Sequence, residues 1–196
     1  MALEEIENSL NAGGVALLPT DTVYGLLARP DRPEAVEKIF TLKNRPATKN
    51  LPVLVANTTQ LAALGVRLTP EISRLLQSRF IPGALTLVLS VAPKDAPRWL
   101  QHRSEVAVRL PDDSFLRALM EKTGPLLATS ANASGVETAS NINEIGKQLN
   151  GKPDVIRDGG PRTGAASTLL DCTSHPFKPL RRGALSDPDL AEMLAL

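Results

Sequence analysis

Short apolar runs bounded by turn residues limit how this chain can fold. Three of them, Val15–Leu18, Leu51–Ala56 and Ala84–Val91, contain few polar residues. Such runs are typical of strands that are buried on both faces of a sheet. Between the first two runs, residues 31–43 carry apolar side chains at helical spacing, with Asp31 expected as the N-cap. The order strand, helix, strand predicts a parallel pair of strands joined by a right-handed crossover.

The rest of the chain continues to alternate between strand and helix patterns. Further strands are predicted at Glu105–Leu110, Leu126–Ala128, Val155–Asp158, Leu169–Asp171 and Phe177–Arg182. Further helices are predicted at residues 2–12, 58–64, 69–78, 114–123 and 141–149, and from Asp187 towards the C-terminus. No repeat, linker or low-complexity tract interrupts this order. The sequence therefore predicts an α/β fold with a single domain over residues 1–196.

Composition narrows the class of ligand. The formal net charge is +1, so attraction of a polyanion must come from locally clustered cations. Aromatic residues make up 3% of the chain, which provides no platform for stacking successive bases. A small anionic ligand is therefore expected rather than a long nucleic acid.

The single cysteine and the first residues of the chain indicate the cellular compartment. Cys172 is the single cysteine, so neither a disulfide within the chain nor a thiolate metal cluster is expected. The first residues lack a signal-peptide pattern, and no apolar run approaches the roughly 20 residues that span a bilayer. The sequence predicts a cytoplasmic protein without membrane contact.

Several common catalytic motifs are missing from the sequence. It contains neither a G-x-x-x-x-G-K-[ST] phosphate loop nor a G-x-G-x-x-G dinucleotide motif. His102 and His175 lie in unrelated polar contexts, without H-E-x-x-H spacing or a G-x-S-x-G elbow. No metal-ligand set is predicted. What remains is a site of hydroxyls, amides and fixed cations, which suits the positioning of a nucleoside triphosphate for attack without a covalent enzyme intermediate.

A cluster of cations follows the helix predicted at residues 31–43. Lys43, Arg45 and Lys49 fall within seven residues, and Pro46 ends the helix and restrains the loop. We expect the basic side chains to project from this loop, where a guanidinium and an ammonium together suit a phosphate chain. The alternative is that Lys and Arg in the last helical turn complement the helix dipole without any ligand.

Polar side chains gather at three predicted strand ends. Thr20–Thr22 follows the first strand, Arg109 lies at the end of Glu105–Leu110, and the loop Thr129–Gly135 follows a later strand. Ligands of open sheets collect at such ends, and a loop of small polar residues can wrap an anion. Each segment also has an alternative without a ligand: a turn that satisfies its own backbone, a solvated cation, or a surface loop.

Three motifs occur in order along the chain. P-T-[DE]-T-V-Y-G-L stands as Pro19–Leu26, K-x-R as Lys43-Asn44-Arg45, and S-x-N as Ser130-Ala131-Asn132. Each is short, but their shared order and spacing within about Val15 to Gly183 are specific. Through them the chain resembles the YrdC-like family of threonylcarbamoyl-adenylate synthases.

This resemblance implies a fold and a reaction. The fold would be a twisted sheet of mixed parallel and antiparallel strands, flanked by helices around a concave positive cavity. L-threonine, bicarbonate and ATP would give threonylcarbamoyl-AMP and pyrophosphate, a nucleotidyltransferase reaction, with Mg²⁺ carried by the triphosphate. The product would pass to the machinery that makes threonylcarbamoyladenosine in tRNA, and direct contact with tRNA is expected to be weak.

Matched positions in the family imply roles for individual residues. Lys43 and Arg45 would be catalytic. ATP would be held by Lys43, Arg45, Lys49, Ser130, Asn132, Thr138 and Arg181. Threonine would be held by Thr22, Arg109 and Ser167, with Arg109 pairing its carboxylate.

The chain departs from the family pattern at Asn44, Leu54 and Ala166, where glycine, histidine and glutamate are frequent. The last two departures concern the threonine pocket. The chain ends at Leu196, which fits the short form of the family without a C-terminal domain. Two alternatives stay open: a carbamoyl-adenylate-forming relative that uses another carbamoyl source, and a noncatalytic RNA-binding module with the same positive cavity.

Overall fold

Seven α-helices and nine strands make up the regular structure of residues 1–47 and 49–195, the part of the chain that the computed structural model describes. The helices are α1 (Leu3–Asn11), α2 (Pro33–Lys43), α3 (Thr58–Ala62), α4 (Pro70–Leu76), α5 (Ser114–Thr123), α6 (Ile142–Gln148) and α7 (Asp187–Leu194). The strands are β1 (Ala16–Leu18), β2 (Gly25–Ala28), β3 (Val53–Leu54), β4 (Leu85–Ser90), β5 (Glu105–Arg109), β6 (Leu126–Ser130), β7 (Val155–Ile156), β8 (Thr168–Asp171) and β9 (Lys178–Arg181). A short 3₁₀ helix spans Arg98–Leu100.

The strands form one mixed sheet in the order β7-β1-β2-β6-β3-β5-β4-β8-β9. The pairs β1 with β7, β3 with β5, and β4 with β8 are parallel. The remaining neighbours are antiparallel. The predicted α/β fold with a mixed sheet flanked by helices is confirmed.

The expected parallel pairing of the first strand with the strand after helix α2 is wrong. The sequence pattern did not indicate β2, which pairs antiparallel with β1, and β6 lies between β2 and β3. Three successive antiparallel pairings make β1 and β3 run in opposite directions. Helix α2 instead connects β2 to β3, which run in the same direction. A strand of four residues that begins with glycine gives a weak signal, because glycine is depleted in strands.

Helices cover both faces of the sheet, as successive residues of β1 show. Leu17 belongs to the core that contains Ile39 of α2, while Ala16 and Leu18 belong to the opposite core with Ile6 of α1. Side chains alternate across a strand, so an uninterrupted apolar run is needed where both faces are buried. The prediction of a buried strand at Val15–Leu18 is therefore confirmed.

Helix α2 begins without the cap that was expected. Asp31 pairs with Arg29 at 2.8 Å, and the N-cap position is held by Arg32, whose side chain makes no capping hydrogen bond. The prediction that Asp31 caps this helix is therefore wrong. The helix still starts at Pro33, because the fixed φ of proline suits the first turn and its missing N–H needs no partner there.

The same helix ends in a left-handed turn that leads into the basic loop. Asn44 has φ 49° and ψ 42°, a left-handed conformation that residues other than glycine, asparagine and aspartate rarely adopt. The N–H of Asn44 donates to Thr41 O at 3.2 Å, and that of Arg45 donates to Phe40 O at 2.9 Å. This turn fixes the direction in which Arg45 leaves the helix.

We expect Asn44→Gly to change the free energy of unfolding by no more than about 0.5 kcal/mol and Asn44→Val to lower it by about 1–2 kcal/mol. The valine is strained by the left-handed backbone, whereas glycine is not. Asn44 is exposed, so neither change disturbs the core. Urea denaturation of both variants measures the difference, and equal losses would contradict this account of the turn.

Candidate functional site

A cavity of about 320 Å³ draws its lining from seven strands, all except β1 and β7, and from neighbouring loops. Several of the residues singled out from the sequence lie in its lining. They are Thr22, Arg45, Arg109, Ser130, Ser167 and Arg181. The structure thus brings the polar turn, the basic loop and the strand-end arginine into one site.

Arg109 is anchored at the end of β5 and is 7% exposed. Its Nε donates to Gly83 O at 2.9 Å, its Nη1 to Thr22 Oγ1 at 2.8 Å, and its Nη2 to Asp21 Oδ1 at 2.7 Å. A guanidinium carries five N–H donors, so two remain for a ligand. The alternative of a solvated cation at a strand terminus is excluded by this burial.

The turn that contains Thr22 is held by its own hydrogen bonds. Thr20 Oγ1 donates to Val23 O at 2.6 Å and accepts from the N–H of Thr22 at 3.1 Å. The hydroxyls of Thr20 and Thr22 lie 3.1 Å apart, and both residues are buried. The two interpretations of this segment are therefore compatible: the turn satisfies its own backbone and also presents a hydroxyl and a carboxylate to Arg109.

A pair of buried hydroxyls lies beside this arginine cluster. The Ser167 hydroxyl is 2.7 Å from that of Thr86, because Ser167 directly precedes β8, which pairs parallel with β4. Arg181 donates to Ser167 O through Nη2 at 2.8 Å and through Nε at 3.2 Å. One hydroxyl of such a pair donates to the other, which leaves one O–H and free lone pairs for a ligand.

The side chain of Lys43 does not project from the basic loop, so that part of the prediction is wrong. Lys43 belongs to the last turn of α2 and is 2% exposed. Its Nζ donates to Ser130 O and, at 2.6 Å, to Asn132 O. Burial, followed by the nearby charge of Arg45, lowers the pKa of Lys43 to about 8. The helix does end at Lys43, as predicted, but the side chain in this last turn points to Ser130 and Asn132 and not out of the loop.

Three other residues assigned to ATP by resemblance also lie outside the cavity lining that the described residues form. Lys49 is exposed, Thr138 is half-buried, and Asn132 is buried. The Nδ2 of Asn132 donates to Val136 O at 2.7 Å and to Ala133 O at 3.0 Å, so its amide orders its own loop. Roles for these residues in ATP binding stay predictions.

Arginines give the cavity its positive charge. Four of them, Arg45, Arg103, Arg109 and Arg181, lie in the lining. Of these four, Arg109 is the one that pairs with a carboxylate among the described residues, that of Asp21. Burial lowers the pKa of all four, and Asp21 opposes this effect at Arg109. Guanidinium groups stay protonated even so. The cavity is therefore suited to an anionic ligand.

Some lining residues were not proposed from the sequence. Tyr24, the single tyrosine, is fully buried, and its hydroxyl accepts from Gly159 N at 2.9 Å. Thr86 lies inside the apolar run Ala84–Val91, so its sequence context indicates a strand and not a site. Arg103 and Glu105 lie near the start of β5, and no local pattern distinguishes them from surface residues.

Within residues 1–47 and 49–195, no group of three or more His, Cys, Asp and Glu side chains is placed to hold a metal ion.

Fold and site together define an α/β protein whose central cavity is lined by arginines and hydroxyls. Sequence comparison identifies the family. Residues 8–183 match the model of the Sua5, YciO and YrdC proteins, which carries the description telomere recombination, and the chain belongs to this family.

Individual relatives agree with this assignment. The chain is 36% identical to the threonylcarbamoyl-AMP synthase of Bacillus subtilis (strain 168) over 188 residues, which cover 94% of this chain and 54% of that protein. It is similar to the crystal structure of P. abyssi Sua5 complexed with L-threonine, with 34% identity, a TM-score of 0.85, and coverage of 97% and 56%. E. coli YciO has 27% identity, a TM-score of 0.83, and coverage of 95% and 92%. The chain thus spans about half the length of the first two relatives.

Proposed function

We propose that this protein makes L-threonylcarbamoyl-AMP and pyrophosphate from L-threonine, bicarbonate and ATP, as a nucleotidyltransferase. The observation that carries the proposal is the gathering of Thr22, Arg109 and Ser167 with Arg45 and Ser130 in one cavity. This set combines a carboxylate-binding guanidinium, hydroxyls and a further cation. The name of the B. subtilis relative, a threonylcarbamoyl-AMP synthase, supports the proposed product, and the L-threonine in the P. abyssi complex supports threonine as a substrate.

The side chains at the cavity have distinct roles in this proposal. The two free N–H groups of Arg109 would bind the carboxylate of threonine, and the hydroxyls of Thr22 and Ser167 would fix its orientation. The amine nitrogen of threonine would first bond to the carbon of bicarbonate, with loss of water, to give N-carboxythreonine. A carbamate oxygen of this N-carboxythreonine would then attack the α-phosphorus of ATP. The new bond joins that oxygen to phosphorus, and the bond to the bridging oxygen breaks and releases pyrophosphate. Arg45 would stabilise the charge that develops on the phosphate oxygens.

Mg²⁺ would enter with the triphosphate in this proposal. The ion prefers phosphate, carboxylate and water oxygens and usually keeps several of its waters. In the described lining, Glu105 is the one carboxylate among four arginines, so the donor set favours an ion carried by phosphate oxygens. When bound, Mg²⁺ would neutralise part of the charge of the leaving pyrophosphate.

A single assay tests the proposal. Purified protein is incubated with ATP, Mg²⁺, bicarbonate and labelled threonine, and the products are separated to detect a labelled adenylate. We expect adenylate and pyrophosphate in equal amounts, with both depending on threonine and bicarbonate. Pyrophosphate release that depends on another carbamoyl donor instead would favour a carbamoyl-adenylate-forming relative. RNA affinity that falls with salt, without turnover of ATP, would favour an RNA-binding module.

We expect turnover without tRNA. The unpaired arginines of the cavity suffice for a triphosphate, whereas a formal net charge of +1 gives little long-range attraction for a polynucleotide. Adenylate yields are compared with and without added tRNA at equal ionic strength. A product that forms only when tRNA is present would contradict this assignment of roles.

Location and onward transfer are part of the same proposal. No helix in the described part of the chain has the length and apolar character needed to cross a membrane. A cytoplasmic location suits the proposed reaction, because ATP and tRNA occur together there. The adenylate would then be consumed by a transfer reaction that places the threonylcarbamoyl group on tRNA.

A further inference from the structure

The side chain of Lys43 uses all of its hydrogen-bond donors within the protein. Its Nζ donates to Ser130 O, to Asn132 O at 2.6 Å and to Asn132 Oδ1 at 3.4 Å. An ammonium has three N–H donors, so none is left for a phosphate in this arrangement. Lys43 is also only 2% exposed and lies outside the cavity lining, which agrees with an ammonium that has no free N–H donor.

The backbone of Lys43 is tied to the same loop as its side chain. We call residues 130–136 the S-x-N loop. Lys43 O accepts from the N–H of Ser134 at 2.9 Å, while the ammonium binds oxygens near the start of the loop. One residue of α2 therefore holds two points of the S-x-N loop. Ser130, which lines the cavity, stands at the start of this loop.

The bound oxygens also account for a charged lysine inside the protein. A buried ammonium is unfavourable unless several acceptors surround it. Carbonyl and amide oxygens provide that here, and the pKa of about 8 leaves the group mostly protonated at neutral pH. The S-x-N loop in turn gains a shared donor, the Lys43 ammonium, for oxygens of Ser130 and Asn132 that would otherwise face each other without a hydrogen between them.

Arg45, the other cation of the K-x-R motif, has the opposite environment. It is half-buried and lines the cavity, and its Nη2 makes one hydrogen bond, to Asn50 O at 3.2 Å. Its Nε is buried without a hydrogen-bond partner among the described residues. Most donors of this guanidinium are therefore available to a ligand.

We propose that Lys43 is a positioning residue, which holds the S-x-N loop against α2, and that Arg45 is the member of the K-x-R motif that contacts the triphosphate. The division of roles rests on the proposed function for Arg45. For Lys43 it rests on contacts that exist without any ligand.

Amide hydrogen exchange of the ligand-free protein tests the role of Lys43. Lys43→Met keeps the length of the side chain but removes its donors, and Lys49→Met is the matched control, because Lys49 is an exposed lysine of the same segment. We expect exchange in residues 130–136 to become about 10- to 100-fold faster in Lys43→Met, as for the loss of hydrogen bonds to a charged group. Lys49→Met and Arg45→Met should leave it within about twofold. Unchanged exchange in Lys43→Met would overturn the proposal.

Equilibrium binding of a nonhydrolysable ATP analogue with Mg²⁺ tests whether Arg45 contacts the triphosphate. Arg45→Met should weaken binding at least about tenfold while the S-x-N loop exchanges as in the wild type. If Lys43→Met loses affinity and its loop stays protected, Lys43 contacts the phosphates and the proposal is wrong. If the wild-type protein does not bind the analogue, the proposed function fails, and the exchange result still decides the role of Lys43.

A measurement on the wild-type protein covers the case in which Lys43→Met does not fold. The ¹⁵N signal of the Lys43 ammonium is recorded in lysine-labelled protein, with and without the same ATP analogue. We expect the signal to keep its position, because the three acceptors stay the same. Scalar coupling between this nitrogen and a phosphorus of the analogue would show a direct contact and would overturn the proposal.

Discussion

Arg45→Ala is expected to slow adenylate formation by roughly 100- to 1000-fold while changing the free energy of unfolding by no more than about 0.5 kcal/mol. Little stability depends on the side chain, because it makes one hydrogen bond of 3.2 Å and its Nε lacks a partner among the described residues. The proposed reaction has more to lose. Charge builds on the bridging and leaving oxygens as pyrophosphate departs, and a cation placed beforehand stabilises this change more than it stabilises bound ATP.

Turnover and urea denaturation measured on the same variant test this expectation. Arg67→Ala is the control, since Arg67 is an exposed arginine outside the lining with no proposed role in binding. It should keep its turnover within a few-fold. The helix-dipole alternative for the basic loop predicts the reverse pattern for Arg45→Ala, a small loss of stability with near-normal turnover. That outcome would remove Arg45 from the proposed catalytic machinery.

Arg109→Ala is expected to weaken threonine use about 10- to 100-fold and to lower the free energy of unfolding by about 3–5 kcal/mol. The first effect follows from the loss of a charge-assisted pair with the threonine carboxylate. The second arises because Asp21, whose side chain is 13% exposed, would remain as a nearly buried carboxylate without its partner. ATP use should change less than threonine use.

A double variant separates the two effects of removing Arg109. In Asp21→Asn combined with Arg109→Gln both charges are gone, so no unpaired carboxylate remains and part of the lost stability should return. Threonine use should stay weak. Separate titrations of threonine and ATP, together with urea denaturation, give the required quantities. A defect confined to ATP would move Arg109 to the nucleotide, and a double variant as unstable as Arg109→Ala would contradict the buried-charge explanation.

Much of the fold could be predicted from the sequence, because the central strands are buried on both faces. Val15–Leu18 is apolar throughout, and Ala84–Val91 is apolar except at Thr86 and Ser90, so both runs stand out in the sequence. The order of the strands could not be obtained in the same way. The short strand β2 carries little signal of its own, and missing it reversed the inferred direction of β1 relative to β3.

Those parts of the candidate site that consist of polar side chains at strand ends could be predicted from the sequence. Thr22 and Arg109 follow that rule, and they meet through a 2.8 Å hydrogen bond. Lys43 does not follow it, because charge and spacing indicate where a cation occurs but not whether its side chain faces the cavity or the core. The pairing of Arg109 with Asp21 was missed for a related reason, since a contact between β5 and a distant turn depends on strand order.

The pairing of β8 with β4 determines when, during synthesis of the chain, the candidate site can be completed. Ser167 joins Thr86 only after a segment late in the chain has paired with a strand made much earlier. Closing such a long loop costs chain entropy, so this contact is expected to form late in folding. A nascent chain would carry Thr22, Arg45 and Arg109 long before it could enclose threonine. If the proposed function is right, unfinished copies on the ribosome would therefore lack a complete threonine pocket.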